Sequence, residues 1–322
     1  MTSILLAGAA GLPNQDHQRD MWVPAAQRAG LRIAAFWVHP DADDQEVRRA
    51  TDVAEEHGIE LRRDPVPPTI GVDAIICCQR GTRRTLVLRA AHEAGIPVLL
   101  DKPTLDSTTA LAALAAELPD GTVVPGHHFA AHPSVTRLVR AVHSGEIGLL
   151  RAVHTELVVT RGDGPAPEGE LRNLLVYLAD LARRVTGAGS LRVSADRVDA
   201  ADRGTESWTV LAQTDREVVV GIHVTRTTVG EPEMLTARVR VNGSHGSAIV
   251  DLTSPAVEVQ HAGARRRVPL GPDSVTMLVA ALRDPEARRA LELPLDEIAE
   301  LSRFLDDVAE AATDGGVRET QW

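Results

Sequence analysis

The sequence predicts an α/β protein: a doubly wound parallel sheet over residues 1–125, then an α+β domain with a large, mostly antiparallel sheet over 126–322. Three observations predict it. Up to residue 125, short apolar or β-branched runs alternate with helical patterns, the rhythm of parallel βαβ units. From Arg151 onward that rhythm gives way to one early helix and a series of strand-like runs broken by turns. The length of 322 residues suffices for two modest domains, each with its own core.

Taken in order, "SILLAG" (3–8) reads as the first strand, followed by a polar loop and a helix near Met21 to Ala29. "LRIAAFWV" (31–38) is the second strand, and a helix follows over roughly 44–57. "DAIICC" (73–78) precedes a helix at about 82–94, and "PVLLD" (97–101) precedes another at about 107–118. "TVVPG" (122–126) closes the series. Ligands of such sheets gather at the C-terminal strand ends. In the second part a strand at about 152–160 leads to a Gly/Pro-rich loop and a helix at about 170–186. "LRVSADRV", "WTVLAQT", "EVVVGIHV", "TARVRVNG", "SAIVDL" and "AVEVQH" then read as strands, and a helix over about 295–313 closes the chain.

Composition excludes several classes of function. Thirty-four basic against 45 acidic residues leave a net charge of −11, with the basic residues scattered, so nucleic acid is not an expected partner. The N-terminal "ILLAGAAG" lacks a basic flank and turns long before the ~20 residues of a membrane span, so no membrane association is expected. The two cysteines, Cys77 and Cys78, are neighbours on one strand and point to opposite faces, which disfavours a bridge. They read as buried thiols in a reducing, cytoplasmic setting. Aromatics make up 2% of the chain, so the cores must be built from Ala, Val, Leu and Ile.

Two residue types occur once each. Lys102, in "VLLDKPT", is the only lysine, and the remaining basic residues are all arginine. It follows a strand of the parallel sheet. A lysine ammonium can give up or share a proton where a guanidinium cannot, so its survival there points to proton chemistry. A salt bridge to Asp101 is the plain structural alternative. Tyr177, in "LRNLLVYLAD", is the only tyrosine. At 100° per residue it aligns with Asn173, Asp180 and Arg184, beside an apolar stripe of Leu174, Leu178, Leu181 and Val185. Its structural alternative is a boundary tyrosine with the ring packed and the hydroxyl wet. "GHHFAAHP" places His128 and His132 four apart, able to meet if the turn is helical. A metal site needs a third ligand, none lies nearby in sequence, and no metal is expected. His127 or His128 reads better as a polar pocket wall at a strand end, with a surface histidine as the alternative.

"VDAIICCQRGTRRTLVLRAAHEAGIPVLLDKPTLDSTTALAALA" resembles the core of the Gfo/Idh/MocA oxidoreductases: an aspartate-started strand, a T-P-x-x-x-H turn, a helix ending A-G, a strand, then E-K-P. "PGHHFAAHPSVTRLVRAVHSGEIGLLRAV" is similar to the family's next segment, and "NLLVYLADLARRVTG" to its D-x-G-x-H-x-x-D helix. The fit covers about residues 1–190. The resemblance implies a Rossmann-like N-terminal domain, NAD or NADP as cofactor, a small-molecule substrate and a homo-oligomer, dimer or tetramer. It places Lys102 at the E-K-P lysine and Tyr177 where most relatives have the acid/base histidine. That is the lysine–tyrosine variant of glucose–fructose oxidoreductase and dimeric dihydrodiol dehydrogenase. Lys102 and Tyr177 are thus the expected catalytic pair, with His127, Asn173 and Asp180 facing substrate. Gly8, Ala10, Gly11, His39, Gln79 and Asp101 fall at cofactor positions.

The departures bear on chemistry more than on fold. Ala10 replaces the second fingerprint glycine, and the loop before "WVPA" is about five residues longer than a tight fingerprint turn. His39 stands where an acidic residue would bind ribose, and Gln79 to Arg84 replace the T-P-x-x-x-H turn. Asn173 replaces an aspartate and Leu175 a glycine. The leading expectation is an NAD(P)-dependent oxidoreductase acting on a hydroxylated small molecule such as a sugar, cyclitol or natural-product intermediate. A non-redox enzyme on the same scaffold (dehydratase, isomerase or cyclase) and a binding subunit without cofactor are the alternatives.

Overall fold

A computed structural model describes residues 2–9, 16–102, 107–160, 165–166, 169–200, 204–228, 234–253, 256–261, 264–269 and 273–322. Its contacts divide the chain into two units: Met1–His128 with Val275–Ala299, and Phe129–Ser274 with Glu300–Trp322. The chain thus returns to the first unit late in the sequence.

In the first unit, β1 (Ser3–Ala7), β2 (Arg32–Trp37), β3 (Glu60–Arg62), β4 (Ala74–Cys77), β5 (Val98–Leu100) and β6 (Thr122–Pro125) lie in the order β3-β2-β1-β4-β5-β6. Every pairing among these six is parallel. A two-residue strand, Leu293–Pro294 (β15), adds an antiparallel edge beside β6. Helices α1 (Val23–Arg28), α2 (Asp44–His57), α3 (Gly81–Ala94) and α4 (Thr108–Glu117) connect the strands, and a π-helical turn over Gln18–Trp22 leads into α1. The residues of β1, β4 and β5 are buried without alternation, as a parallel sheet covered on both faces requires. Each fully buried leucine or isoleucine there contributes about 1.5–3 kcal/mol. Helix α2 starts where the Asp43 side chain accepts the Glu46 N–H and ends at left-handed Gly58. The chain leaves β1 for β2 on one side and returns to β4 on the other. A crevice therefore opens at the C-terminal ends of β1 and β4.

In the second unit, β7 (Leu150–Thr160), β8 (Ser190–Ala200), β9 (Thr205–Thr214), β10 (Val219–Thr227), β11 (Met234–Gly243), β12 (Ser247–Asp251) and β16 (Arg318–Gln321) form one sheet. Its order is β12-β11-β7-β10-β9-β8-β16, and only β7 and β10 run parallel. Strands β13 (Ala256–His261) and β14 (Ala264–Pro269) form a separate hairpin. Helix α5 (Pro133–His143) precedes the sheet, and α6 (Val176–Thr186) follows a π-helical turn over Leu171–Leu175. Helix α6 packs on β7, β10 and α5. Alternation sorts the two faces: Val220, Ile222 and Val224 of β10 are buried, while Val219 of β10 and Leu211 of β9 are exposed. Helices α7 (Ser274–Ala281), α8 (Pro285–Arg289) and α9 (Leu295–Asp314) complete the chain.

The fold class agrees with the sequence reading. The sequence reading did not pick out β3, β15, β16, α7 or α8. Three of these are strands of two to four residues, too short to show a period. Among the described residues no helix is long and apolar enough to cross a membrane.

Candidate functional site

At the crevice of the first unit, β1 ends in Gly8, whose N–H donates to the Trp37 carbonyl at 2.8 Å. Its φ of +78° suits glycine, and a Cβ there would lie 2.4 Å from Cδ of Gln79. The Gln79 amide therefore covers the open side of Gly8. Gln79 is fully buried, and its Nε2 donates to Glu46 Oε1 at 2.8 Å. Its Oε1 meets no donor among the described residues. Glu46, in the first turn of α2 and 3% exposed, also accepts the Ala9 N–H at 3.3 Å. Its other oxygen takes Arg83 Nη1 at 2.8 Å. A buried carboxylate thus sits on the backbone of the turn that follows β1.

Asp101 follows β5, and its N–H donates to the Cys77 carbonyl at 2.8 Å. Its Oδ2 lies 2.7 Å from Nδ1 of His17, and both side chains are buried. Burial pushes the Asp101 carboxyl upward. The His17 ring and the charge and backbone N–H of Lys102 outweigh it, holding the group below its ordinary value. Oδ1 of Asp101 has no donor among the described residues. The Cys78 thiol is raised well above its ordinary value, first by burial and then by the Asp101 charge, so it stays protonated. Gly126, after β6, donates to the Leu100 carbonyl at 2.7 Å, and a Cβ on it would lie 3.2 Å from Asp101 Cα. His127 comes next and is 1% exposed, so the surface-histidine alternative does not hold. Lys102 is partly exposed beyond the end of β5.

In the second unit, Tyr177 is 3% exposed, with its ring edge-on to Phe129 at 5.6 Å. The wet-boundary alternative fails, because the polar stripe of this helix is buried along with the apolar one. Asp180, fully buried, accepts Arg184 Nε at 3.0 Å. Asn173 Nδ2 donates to Glu170 Oε2 at 2.8 Å. Glu170 is itself buried, accepts the Ala166 N–H at 2.7 Å and lies 3.7 Å from Arg226 Nε. Its backbone N–H donates to Glu206, which also accepts Trp208 Nε1 at 2.7 Å.

The structure therefore brings Gly8 and Gln79 together in the first unit and sets Asp101 beside Lys102. Asn173, Tyr177 and Asp180 share one helical segment of the second. Ala10 and Gly11 lie outside the described residues. His39 turns to local work: its Nδ1 accepts the Asp41 N–H at 3.1 Å and its ring meets Trp37 edge-on. Sequence reasoning missed Glu46, His17 and Gln18, whose Nε2 donates to the Gly8 carbonyl at 3.1 Å. Asp43 and Glu46 have capping-box spacing, which gives Glu46 an ordinary explanation in sequence, although its side chain reaches Ala9 instead. His128 and His132 do not form a helical i, i+4 pair. His128 opens a 3₁₀ turn, and His132 is the extended N-cap of α5, accepting the Ser134 N–H. Burial lowers the His132 ring below its ordinary value against the pull of Asp251. Among the described residues no group of three or more His, Cys, Asp or Glu side chains could hold a metal.

No family model matches the chain. Inositol 2-dehydrogenase 1 of Saccharopolyspora erythraea is 28% identical over 288 residues, 85% of this chain and 80% of that protein. Inositol 2-dehydrogenase 4 of the same organism is 29% identical over 173 residues, 52% of this chain and 48% of that protein, so this match spans about half its length. The crystal structure of an inositol dehydrogenase homolog from Azotobacter vinelandii, complexed with NADH and myo-inositol, is similar over 100% of this chain and 97% of that one. Its TM-score is 0.72 at 14% identity, a likeness of fold.

Proposed function

We propose that the chain is an oxidoreductase of the Gfo/Idh/MocA type, which oxidises a secondary alcohol of a cyclitol or related polyol with NAD, or runs the reverse reduction. The observation that carries this is the cluster at the crevice of the parallel sheet, where left-handed Gly8, the Gln79 amide and the Glu46 carboxylate meet. The chemistry of that cluster fits a dinucleotide. Ribose hydroxyls and a carboxamide are donors, and Gln79 Oε1 and Asp101 Oδ1 are buried acceptors lacking one. Glu46 takes the place expected of His39 as the ribose acceptor. Its charge disfavours the 2′-phosphate of NADP, so NADH binds more tightly than NADPH and Glu46→Gln narrows the difference.

A nicotinamide held at this crevice would supply the hydride acceptor for the carbinol carbon. The chain's own task is then the hydroxyl proton. Lys102 holds its ammonium at the substrate oxygen, Tyr177 exchanges the proton, and His127, Asn173 and Asp180 order the polar surroundings. The motif positions of Lys102 and Tyr177 and their single occurrence in the chain support these roles. Lys102→Arg keeps a charge but cannot share its proton. Turnover of myo-inositol and other cyclitols, followed at the reduced-nicotinamide absorbance, tests the reading. It stands if one of them is oxidised with NAD and the arginine variant is inactive, and it fails if Lys102→Arg retains full activity.

One observation favours a second reading. The Gln79 amide covers Gly8 where a pyrophosphate would approach, as expected for a scaffold turned to non-redox chemistry or binding. Substrate conversion without added cofactor would select that reading. Assembly into a homo-oligomer, with the exposed face of the second sheet covered, completes the proposal, and light scattering tests it.

A further inference from the structure

His17 belongs to none of the expected sites. It lies in the lengthened connection after β1, immediately before the π-helical turn over Gln18–Trp22. The next residue, Gln18, donates to the carbonyl of Gly8 and approaches that of Ile76 at 3.4 Å. Trp22, fully buried, packs against Gly126 at the end of β6. This segment therefore ties together the ends of β1, β4 and β6, and His17 extends the tie to β5 by meeting Asp101 at 2.7 Å.

The neighbours of Asp101 define what that contact does. From its own strand end comes Lys102; from the end of β4 come Cys77, whose carbonyl accepts the Asp101 N–H, and the protonated Cys78 thiol; from the turn before α1 comes His17. From β6, His127 follows the glycine packed on Asp101 Cα. A carboxylate buried among these groups, with one oxygen lacking a donor, would take up a proton readily or turn away if His17 did not hold the other. The residue beside it is the only lysine in the chain.

We propose that His17 is a positioning residue that fixes the Asp101 carboxylate, and with it a permanent negative charge, beside Lys102. The proposal rests on the reading of Lys102 as the proton-handling group. It gives the connection after β1 a second duty beyond the dinucleotide: setting the electrostatics of the lysine. No bond is made or broken in this role, and His17 itself need not touch substrate.

The single lysine makes a direct test practicable. Protein labelled with ¹⁵N and ¹³C only in lysine gives one backbone amide and one ε-carbon signal, both from Lys102, with no substrate or cofactor needed. In the wild-type protein these signals show an acid inflection as Asp101 titrates, below the ordinary carboxylate range. In His17→Ala the inflection moves to higher pH, because Lys102 alone then opposes the effect of burial. His17→Gln, which keeps a donor of similar reach, brings it back toward the wild-type position and serves if the alanine variant does not fold. In Asp101→Asn the inflection is absent. An inflection unmoved in both His17 variants, or one that persists in Asp101→Asn, overturns the proposal. Failure of the oxidoreductase reading is distinguishable, since it appears as absent hydride transfer in a protein whose lysine signals titrate as expected.

Discussion

Two clusters of buried polar side chains, one in each unit, are built to different rules. In the second unit each carboxylate oxygen of Glu170 and Glu206 accepts a hydrogen bond, from Ala166 and Asn173 for Glu170 and from Glu170 and Trp208 for Glu206, with Arg226 Nε 3.7 Å from Glu170. In the first unit, Gln79 and Asp101 each keep a buried oxygen without a donor among the described residues. Carboxylates whose oxygens each accept a hydrogen bond hold a fold together. An unsaturated one carries a cost that folding alone does not justify, and such sites are where ligand donors belong. The comparison sets a structural clasp of two carboxylates, Glu170 and Glu206, beside a candidate site around Gln79 and Asp101.

Substitutions sharpen the contrast. Lys102→Arg is expected to lower turnover by roughly 10²–10⁴-fold with little change in melting temperature. A parallel loss of stability would assign the lysine to the clasp class. Glu170→Ala is expected to cost about 3–5 kcal/mol in urea denaturation, because it removes the buried carboxylate beside Arg226 and releases Asn173. A loss under about 1 kcal/mol would break the comparison, since removing a buried, hydrogen-bonded carboxylate should not be that mild.

Acid provides a finer probe. Asp101 has a depressed carboxyl in the folded state, so its contribution is fully present above the unfolded value of about 3.9 and is lost as pH falls through the folded one. Asp101→Asn should flatten the stability profile below about pH 4. His132 is depressed too, so its contribution is complete above about pH 6.5 and declines as pH falls below that. His132→Asn keeps a capping side chain on α5 and should remove this shallow decline, the smallest effect of the set. Denaturation midpoints between pH 3 and 8 would reveal either profile (a range set by the two reference values).

The fold was legible because the parallel strands are uninterrupted apolar runs and the later strands alternate, two patterns that periodicity separates. The site was legible only in part. Gly8, Gln79, Asp101 and Lys102 stand at strand ends, where topology alone places ligands. Glu46 and His17 act on residues 37 and 84 positions away, and no local pattern encodes such contacts. The burial of Tyr177 was hidden for a related reason. A polar helix stripe reads as solvent-facing until its partners, Glu170 for Asn173 and Arg184 for Asp180, are known.

The central claim is that the unsaturated cluster receives a dinucleotide, and titration calorimetry with NADH tests it most directly. The account predicts binding in the roughly micromolar range, as for a working cofactor, weakened in Glu46→Gln. Absence of heat and of tryptophan quenching with wild-type protein would contradict it.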